Sequence, residues 1–356
     1  MKQTDNKIWP LDVCRGVAAF YVVLHHSREM LPAAIRPLLL FGQEAVILFF
    51  LLSGFVIHYT YYNKEWFDRS DFLWKRFIRI YPILIVVMLF SWIADVATGA
   101  HDPDINMRTF VYNLLGMQDS QLQKPGIGYA TFGGNDPLWS LGYEIWYYAF
   151  YAIAGAKNFE RNMLLVTVIA VVSCALFALY PNKIWLTLFY LPIWWLGVAI
   201  AQMQVTKSNK GFLQGILSAS IALLAYGVFQ FRAITVNHTT IGLHPLVEIR
   251  HFATAIAMAL VWVLMMKRLR MQHLEFLRPL SVLSAVSYGV YIVHLPLLRA
   301  VKAYLPSNIF TWLLFVLLTV LVGWLLEIRF QKRWMLPLLR RQSKRRMAIG
   351  PKTISE

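Results

Sequence analysis

The stretch Ile309-Phe310-Thr311-Trp312-Leu313-Leu314-Phe315-Val316-Leu317-Leu318-Thr319-Val320-Leu321-Val322-Gly323-Trp324-Leu325-Leu326-Glu327 decides the fold class. Its first 18 residues carry no charge and no polar face. An α-helix rises 1.5 Å per residue, so a run of this kind is what crosses a hydrocarbon core about 30 Å thick. Outward from it, nine more runs follow the same rule, with ends read to within several residues. They are Leu11–Met30, Pro37–Tyr61, Ile80–Thr98, Pro137–Ala156, Met163–Tyr180, Ile184–Met203, Phe212–Phe231, Val247–Met266 and Leu280–Val301. The sequence therefore predicts an all-α, polytopic integral membrane helix bundle of about ten transmembrane helices. Residues 1–330 form one transmembrane domain and residues 331–356 a basic cytoplasmic tail.

Composition agrees. Only 15% of the 356 residues are charged and 58% are hydrophobic, against about 25% charged in a soluble domain. The 13 Trp, 17 Tyr and 23 Phe suit membrane interfaces. No long polar stretch exists to build a soluble domain. Cys14 and Cys174 form neither a disulfide framework nor a metal-ligand spacing, so no metal is expected. Lys2 and Lys7 before an apolar run resemble a signal peptide, but Arg15, His25 and His26 interrupt it, and the segment reads as an uncleaved first helix. There is no internal repeat or low-complexity tract, and no broken helix is read from the pattern.

A net charge of +16 in a soluble chain would suggest nucleic acid. Here basic residues orient the spans instead, and no nucleic-acid partner is expected. With the N-terminus inside, 25 of the 34 Lys and Arg fall in cytoplasmic segments; the other nine are Arg28, Arg36, Arg108, Lys124, Lys183, Arg232, Arg250, Arg299 and Lys302. That asymmetry, with an even number of spans, places both termini in the cytoplasm, and the basic tail is expected against the inner leaflet. The longest outside loop, His101 to Asn135, holds His101-Asp102-Pro103-Asp104 and the glycine-rich Thr131-Phe132-Gly133-Gly134-Asn135.

Ionisable groups within a bilayer cost about 2.5–3.5 kcal/mol each on insertion scales, so each marks a candidate site. Counting rise along each span puts His26 about 22 Å up, His294 about 21 Å up and Glu144 about 10 Å down from the outer end, one level in the outer half. Arg15, Arg76, Arg79 and Ser53 fall lower. The lower layer suits phosphates, which guanidiniums hold by charge-assisted bonds. The upper layer offers imidazoles and a carboxylate for general-base chemistry. Plainer readings stand beside these. Arg76 and Arg79 also fit as positive-inside anchors. His25 or His26 also fits as a helix-packing hydrogen bonder. Tyr288 reads as a packing residue, and Glu44, His58 and His101 as interface or solvent groups.

These residues also sit in recognisable strings. Leu11-Asp12-Val13-Cys14-Arg15-Gly16-Val17-Ala18-Ala19-Phe20, running on to His26, resembles the first-helix signature of the membrane acyltransferase 3 family. Phe49-Phe50-Leu51-Leu52-Ser53-Gly54-Phe55, Lys75-Arg76-Phe77-Ile78-Arg79-Ile80-Tyr81-Pro82, Leu138-Trp139-Ser140-Leu141-Gly142-Tyr143-Glu144 and Ser287-Tyr288-Gly289-Val290-Tyr291 with His294 are similar to its later strings, and Leu326-Glu327 to a Glu near its last helix end. The chain departs from it at Ile145-Trp146-Tyr147-Tyr148 and at Glu44-Ala45-Val46-Ile47.

The resemblance implies transfer of an acyl group, usually acetyl, from acyl-coenzyme A (acetyl-CoA) to a carbohydrate hydroxyl, at a bacterial inner membrane. The partners it implies are the acyl-coenzyme A donor, a glycan or lipid-linked sugar acceptor, and membrane lipid. It assigns Arg15, Arg76, Arg79 and Ser53 to the donor and His26 to proton transfer. Glu144 is expected to orient His26, with Tyr288, His294 and Ser140 as accessories and Ser140 as the alternative nucleophile. A transporter or flippase for a small molecule or lipid-linked glycan is the competing class, since intramembrane charges also mark transport paths.

Overall fold

Pro10 opens α1 (Trp9–Ser27) in its first turn, where a proline forfeits no hydrogen bond. A computed structural model describes residues 8–64, 67–236, 240–268 and 271–337. After α1, two 3-10 turns, Arg28–Met30 and Ala33–Leu39, lead into α2 (Gly42–Tyr61). Asp68 caps α3 (Arg69–Thr98), its carboxylate accepting from the N–H groups of Ser70 and Asp71 at 2.9 and 3.1 Å, and Gly99 at φ 65° closes the other end. Then come α4 (Met107–Leu114), α5 (Leu138–Ala154), α6 (Phe159–Leu179), α7 (Lys183–Phe189), α8 (Leu191–Thr206), α9 (Lys210–Phe229) and α10 (Phe231–Val236). The last three α-helices are α11 (Leu246–Arg268), α12 (Ser287–Tyr304) and α13 (Ile309–Trp324), which continues as a π-helix over Leu325–Met335. Among the described residues there is no strand, only an isolated bridge between Gln118 and Tyr129.

The chain is an all-α polytopic membrane bundle. Each expected span overlaps helix, and among the described residues seven helical stretches, α7 with α8 taken as one, are long and apolar enough to cross a bilayer by length and composition alone, eight counting one bent pair. The two that fall short are α1, with 19 residues, and α5, with 17. Both carry interior charges.

Four details correct the reading from sequence. α3 starts at Arg69, so Arg76 and Arg79 lie on the helix rather than ahead of it. Two spans are broken. The sixth divides at Tyr190 into α7 and α8, where Pro192 begins a new helix. The ninth is a 3-10 stretch, Met271–Ala285 with Pro279 inside it, meeting α12 at a 60° bend. At the first break Pro192 lacks the amide that would serve the Leu188 carbonyl, whereas Pro279 lies seven residues ahead of the second, at Val286. Finally, the last helix runs past Glu327 through Met335, so the expected tail is helical at its start; residues 338–356 lie outside the described residues.

Lipid tails give helices no hydrophobic reason to associate, so close approach must supply the attraction. α2 and α8 cross where a Cβ on Gly54 would stand 2.2 Å from the Trp194 carbonyl oxygen and one on Gly197 2.1 Å from that of Leu51. No larger residue fits either point. The apolar outer faces, such as Leu313, Leu317 and Leu321 on α13, are exposed, while the polar groups lie inside.

The loop between α4 and α5 folds back into the bundle. Asp119, Ser120 and Lys124 have no exposed surface. Asp119 accepts from the Tyr143 hydroxyl at 2.7 Å and pairs with Lys183 at 3.0 Å and Lys124 at 3.4 Å. The Lys124 ammonium lies over the rings of Trp139, Tyr190 and Tyr143 at 4.6, 5.1 and 5.2 Å. Burial pushes the Asp119 carboxyl up, but the two ammonium groups outweigh it and hold the group below the ordinary carboxylate range.

Candidate active site

α1, α2, α3, α5 and α12 surround a cavity of about 250 Å³. Helical spacing explains who faces it. Arg76 and Arg79 are three apart on α3, and Ser140, Glu144 and Tyr148 are four apart on α5, so each set shares one face. Asp12 and Arg15 from α1, Phe49 and Ser53 from α2, and Ser287, Tyr288 and Tyr291 from α12 complete the wall.

The cavity is cationic. Three guanidiniums face two carboxylates, Asp12 and Glu144. Arg15 donates to Asp12 at 2.7 Å, leaving its Nε buried and unpaired. Arg76 sits over the rings of Phe72 and Tyr148, and its Nε is also unpaired. Among the described residues, no hydrogen bond or ion pair engages the Arg79 guanidinium, and Arg79 carries exposed surface although it lines the cavity. A buried donor left without an acceptor costs about 1–3 kcal/mol. This pocket is therefore suited to a guest rich in anionic oxygens.

Ser53 donates to Glu144 at 2.8 Å, and the Tyr148 hydroxyl donates to the same carboxylate oxygen. The Ser140 hydroxyl bonds the Tyr291 hydroxyl at 2.8 Å and the Pro137 carbonyl at 3.3 Å, and among the described residues it makes no hydrogen bond to a basic side chain. Tyr288 donates to the Ile80 carbonyl at 3.0 Å, so its hydroxyl is satisfied.

His26 lies beyond the cavity wall. Its Nδ1 is 3.0 Å from the Val22 carbonyl and 3.1 Å from Nε2 of His294, whose own Nδ1 is 3.3 Å from the Val290 carbonyl. A carbonyl only accepts, so each Nδ1 carries the hydrogen. His294 Nε2 then accepts from His26 Nδ1–H, and His26 Nε2 keeps its lone pair. Phe49 and Tyr291 line the cavity with their rings edge-on 5.5 Å apart, and Tyr291 lies 6.3 Å from the His294 ring. From Arg15 to His26 is eleven residues, about 16 Å along α1.

Thus the structure brings together Arg15, Arg76, Arg79, Ser53, Glu144, Ser140 and Tyr288 around one cavity, and His26 with His294 behind it. Glu144, expected at the level of His26 and orienting it, instead joins Ser53 and Tyr148 among the arginines. The depth count failed because the loop preceding α5 is itself buried, so α5 begins well inside the bundle. His294 makes the contact with His26 that was expected of Glu144.

Several contributors escaped the reading from sequence. Tyr148 could have been found as the residue one turn from Glu144. Two others repair prolines. Pro82 in α3 and Pro296 in α12 lack the N–H that would serve the carbonyls of Ile78 and Ile292. Gln331 donates to Ile78 O at 2.9 Å and to Arg79 O at 2.6 Å, and Asn135 donates to Ile292 O at 2.9 Å. Each proline announces a gap, but nothing in the pattern says which distant residue fills it.

A family model described as an acyltransferase domain matches residues 8–328. Among curated proteins, "Protein 2 in picA locus" of Rhizobium radiobacter is 28% identical over 181 residues, which is 46% of this chain and 90% of that protein. "Acyltransferase MdmB" of Streptomyces mycarofaciens is 29% identical over 218 residues, 53% of this chain and 53% of MdmB. No solved structure matches the chain.

Proposed function

We propose, on the premise that this chain belongs to the membrane acyltransferase family whose model matches residues 8–328, that it moves an acyl group from a coenzyme A thioester to a hydroxyl of a cell-surface or exported glycan, with acetyl as the simplest group. The cavity with its three guanidiniums, two of them with an unpaired buried Nε, carries this reading. Coenzyme A is a multiply phosphorylated donor, and guanidiniums are the side chains that hold phosphate oxygens in pairs. The bent ninth span is a feature transporters use as well, but membership of an acyltransferase family favours group transfer.

In the proposed step, His26 Nε2 takes the proton of the acceptor hydroxyl as that oxygen attacks the thioester carbonyl. The carbon–oxygen bond forms, the carbon–sulfur bond breaks, and the imidazolium returns the proton to the departing thiolate. His294 Nε2 holds the His26 Nδ1–H throughout. Direct transfer suits Ser140, whose hydroxyl is engaged by Tyr291 and Pro137 and, among the described residues, bonds no basic side chain that would activate it.

The protein is proposed to lie in a bacterial inner membrane with both termini cytoplasmic, which puts the arginine cavity toward the coenzyme A pool. Six of the nine basic residues assigned outside have acidic partners: Lys124 and Lys183 at Asp119, Arg28 and Arg36 at Glu29, Arg250 at Glu44 and Arg299 at Asp102. Among the described residues assigned inside, only Arg15, Lys75, Lys210 and Arg278 do, so discounting paired charges on both sides leaves the asymmetry in place. A reporter fused after Glu356 is expected to read as cytoplasmic, and a periplasmic signal would overturn the orientation.

Two measurements test the function. Proteoliposomes given labelled acyl-coenzyme A and extracted glycan should yield acylated glycan, seen as a mass increment on a hydroxyl; label staying on coenzyme A would count against the reading. The Arg76→Ala, Arg79→Ala double variant should bind coenzyme A roughly 10²–10⁴-fold more weakly, the range for losing two charged hydrogen bonds worth about 1.5–3 kcal/mol each. Arg79→Lys should also bind less well, because an ammonium lacks the planar fork. Unchanged affinity in the double variant would reduce both arginines to topology anchors.

A further inference from the structure

Among the described residues, α3 and α12 are the α-helices with a proline in their interior beyond the first turn, and both are site helices. In each, the carbonyl four residues before the proline is served by a side-chain amide from a remote element. We infer that Gln331 and Asn135 are positioning residues that act on separate halves of the site, Gln331 on the donor arginines through Arg79 and Asn135 on the proton-transfer pair through His294. This inference rests on the donor and base assignments proposed above.

The geometry on the α3 side is direct. Gln331 Nε2 donates to the carbonyl of Arg79 itself as well as to that of Ile78, so the peptide bearing the guanidinium is held at its own oxygen. Gln331 is buried, and it comes from the π-helical stretch after α13. Four residues earlier in the same stretch, Glu327 accepts from the Gly289 N–H at 2.8 Å in the first turn of α12. One irregular segment thus grips both site helices by their backbones, and irregular turns of this kind are often retained at functional sites.

On the α12 side, His294 lies between Ile292 and Pro296, inside the turn that the proline leaves unclosed. Asn135 reaches that turn because the preceding Gly133 and Gly134 both take left-handed φ of 57° and have their carbonyls held by Arg299. Glycine is required for that pair of conformations. The glycine-rich string singled out in the sequence therefore presents one buried amide to the backbone beside His294.

The test uses the full chain in nanodiscs, with coenzyme A affinity by calorimetry and acyl transfer at saturating donor as separate readouts. Gln331→Met keeps the size and removes the donor. It should weaken coenzyme A about tenfold and leave saturated turnover within about twofold, the scale of losing modest hydrogen bonds. Adding it to Arg79→Ala should lose nothing further, because its effect passes through Arg79. Asn135→Asp should do the reverse, lowering saturated turnover about tenfold and shifting the acidic limb of the pH–rate profile, where the base loses its proton, with coenzyme A affinity within about twofold. Should Gln331→Met fail to fold, Gln331→Lys, which retains a donor, should bind coenzyme A close to wild type; affinity as low as in Arg79→Ala would count against the role. Losses of affinity and turnover moving together in both variants, or full additivity with Arg79→Ala, would overturn the inference. A wild-type protein that binds no coenzyme A would instead refute the donor assignment beneath it.

Discussion

Acyl transfer by His26→Ala should fall by about 10²–10⁴-fold while coenzyme A affinity stays within about twofold. The separation of effects follows from position. His26 is not part of the cavity wall, whereas the three arginines are. The size of the loss follows from the tautomer chain, in which two backbone carbonyls and His294 leave His26 Nε2 with a free lone pair. His294→Ala should cost less, because it removes the acceptor that steadies His26 but not the base, and the Val22 carbonyl still holds the Nδ1 hydrogen. Glu144→Gln should act on the donor side, through Ser53 and Tyr148. Labelled donor in proteoliposomes reads all three. Near-normal turnover in His26→Ala, or a stable label on Ser140, would reject His26 as the base.

Asp119→Asn should destabilise the folded protein by about 3–5 kcal/mol, the range for removing one partner of a buried ion pair. Most single substitutions cost about 1 kcal/mol, and whole domains hold only about 5–15. The reason is the company Asp119 keeps. Without its charge, Lys124 and Lys183 are left as two buried ammonium groups beside aromatic rings and the Tyr143 hydroxyl, with no carboxylate to offset them there. The contrast is the Lys210–Glu160 pair, closer still at 2.6 Å but exposed on both sides. Breaking that pair with Lys210→Ala should change stability by no more than about 1 kcal/mol. Thermal unfolding of both variants in the same detergent measures the difference. Equal midpoints would mean that the three buried groups do not act as charges.

How much was legible follows from where each signal resides. A spanning helix advertises itself in one contiguous run, and so the last span and its nine companions could be read one at a time. The site strings were legible for a related reason: Arg15 and His26 share one helix, as do Ser140 and Glu144, and fixed spacing on a helix fixes relative direction. What failed depended on two elements at once. Glu144 was assigned a height by counting from the end of its helix, a count that assumes the helix starts at the surface; the burial of Asp119, Ser120 and Lys124 shows that the chain descends before α5 begins. Lys124 and Lys183 were counted as outside anchors because their charge is visible in sequence and their common partner is not. Pro82 and Pro296 marked carbonyls in need of donors, yet Gln331 and Asn135 stand 249 and 161 positions away.

The rings of Phe49 and Tyr291 meet edge to edge in the wall of the arginine cavity. A protein that hands a chemical group toward the far side of a charged membrane faces a problem unrelated to catalysis, namely remaining an insulator. Each elementary charge that slips across 100 mV dissipates about 2.3 kcal/mol. Two aromatic rings meeting edge to edge offer no file of polar groups along which protons or ions can hop. On the proposed reaction, a thioester reaching His26 from the cavity would have to displace these rings, and a passage closed again after each transfer would cost the membrane none of its electrical store.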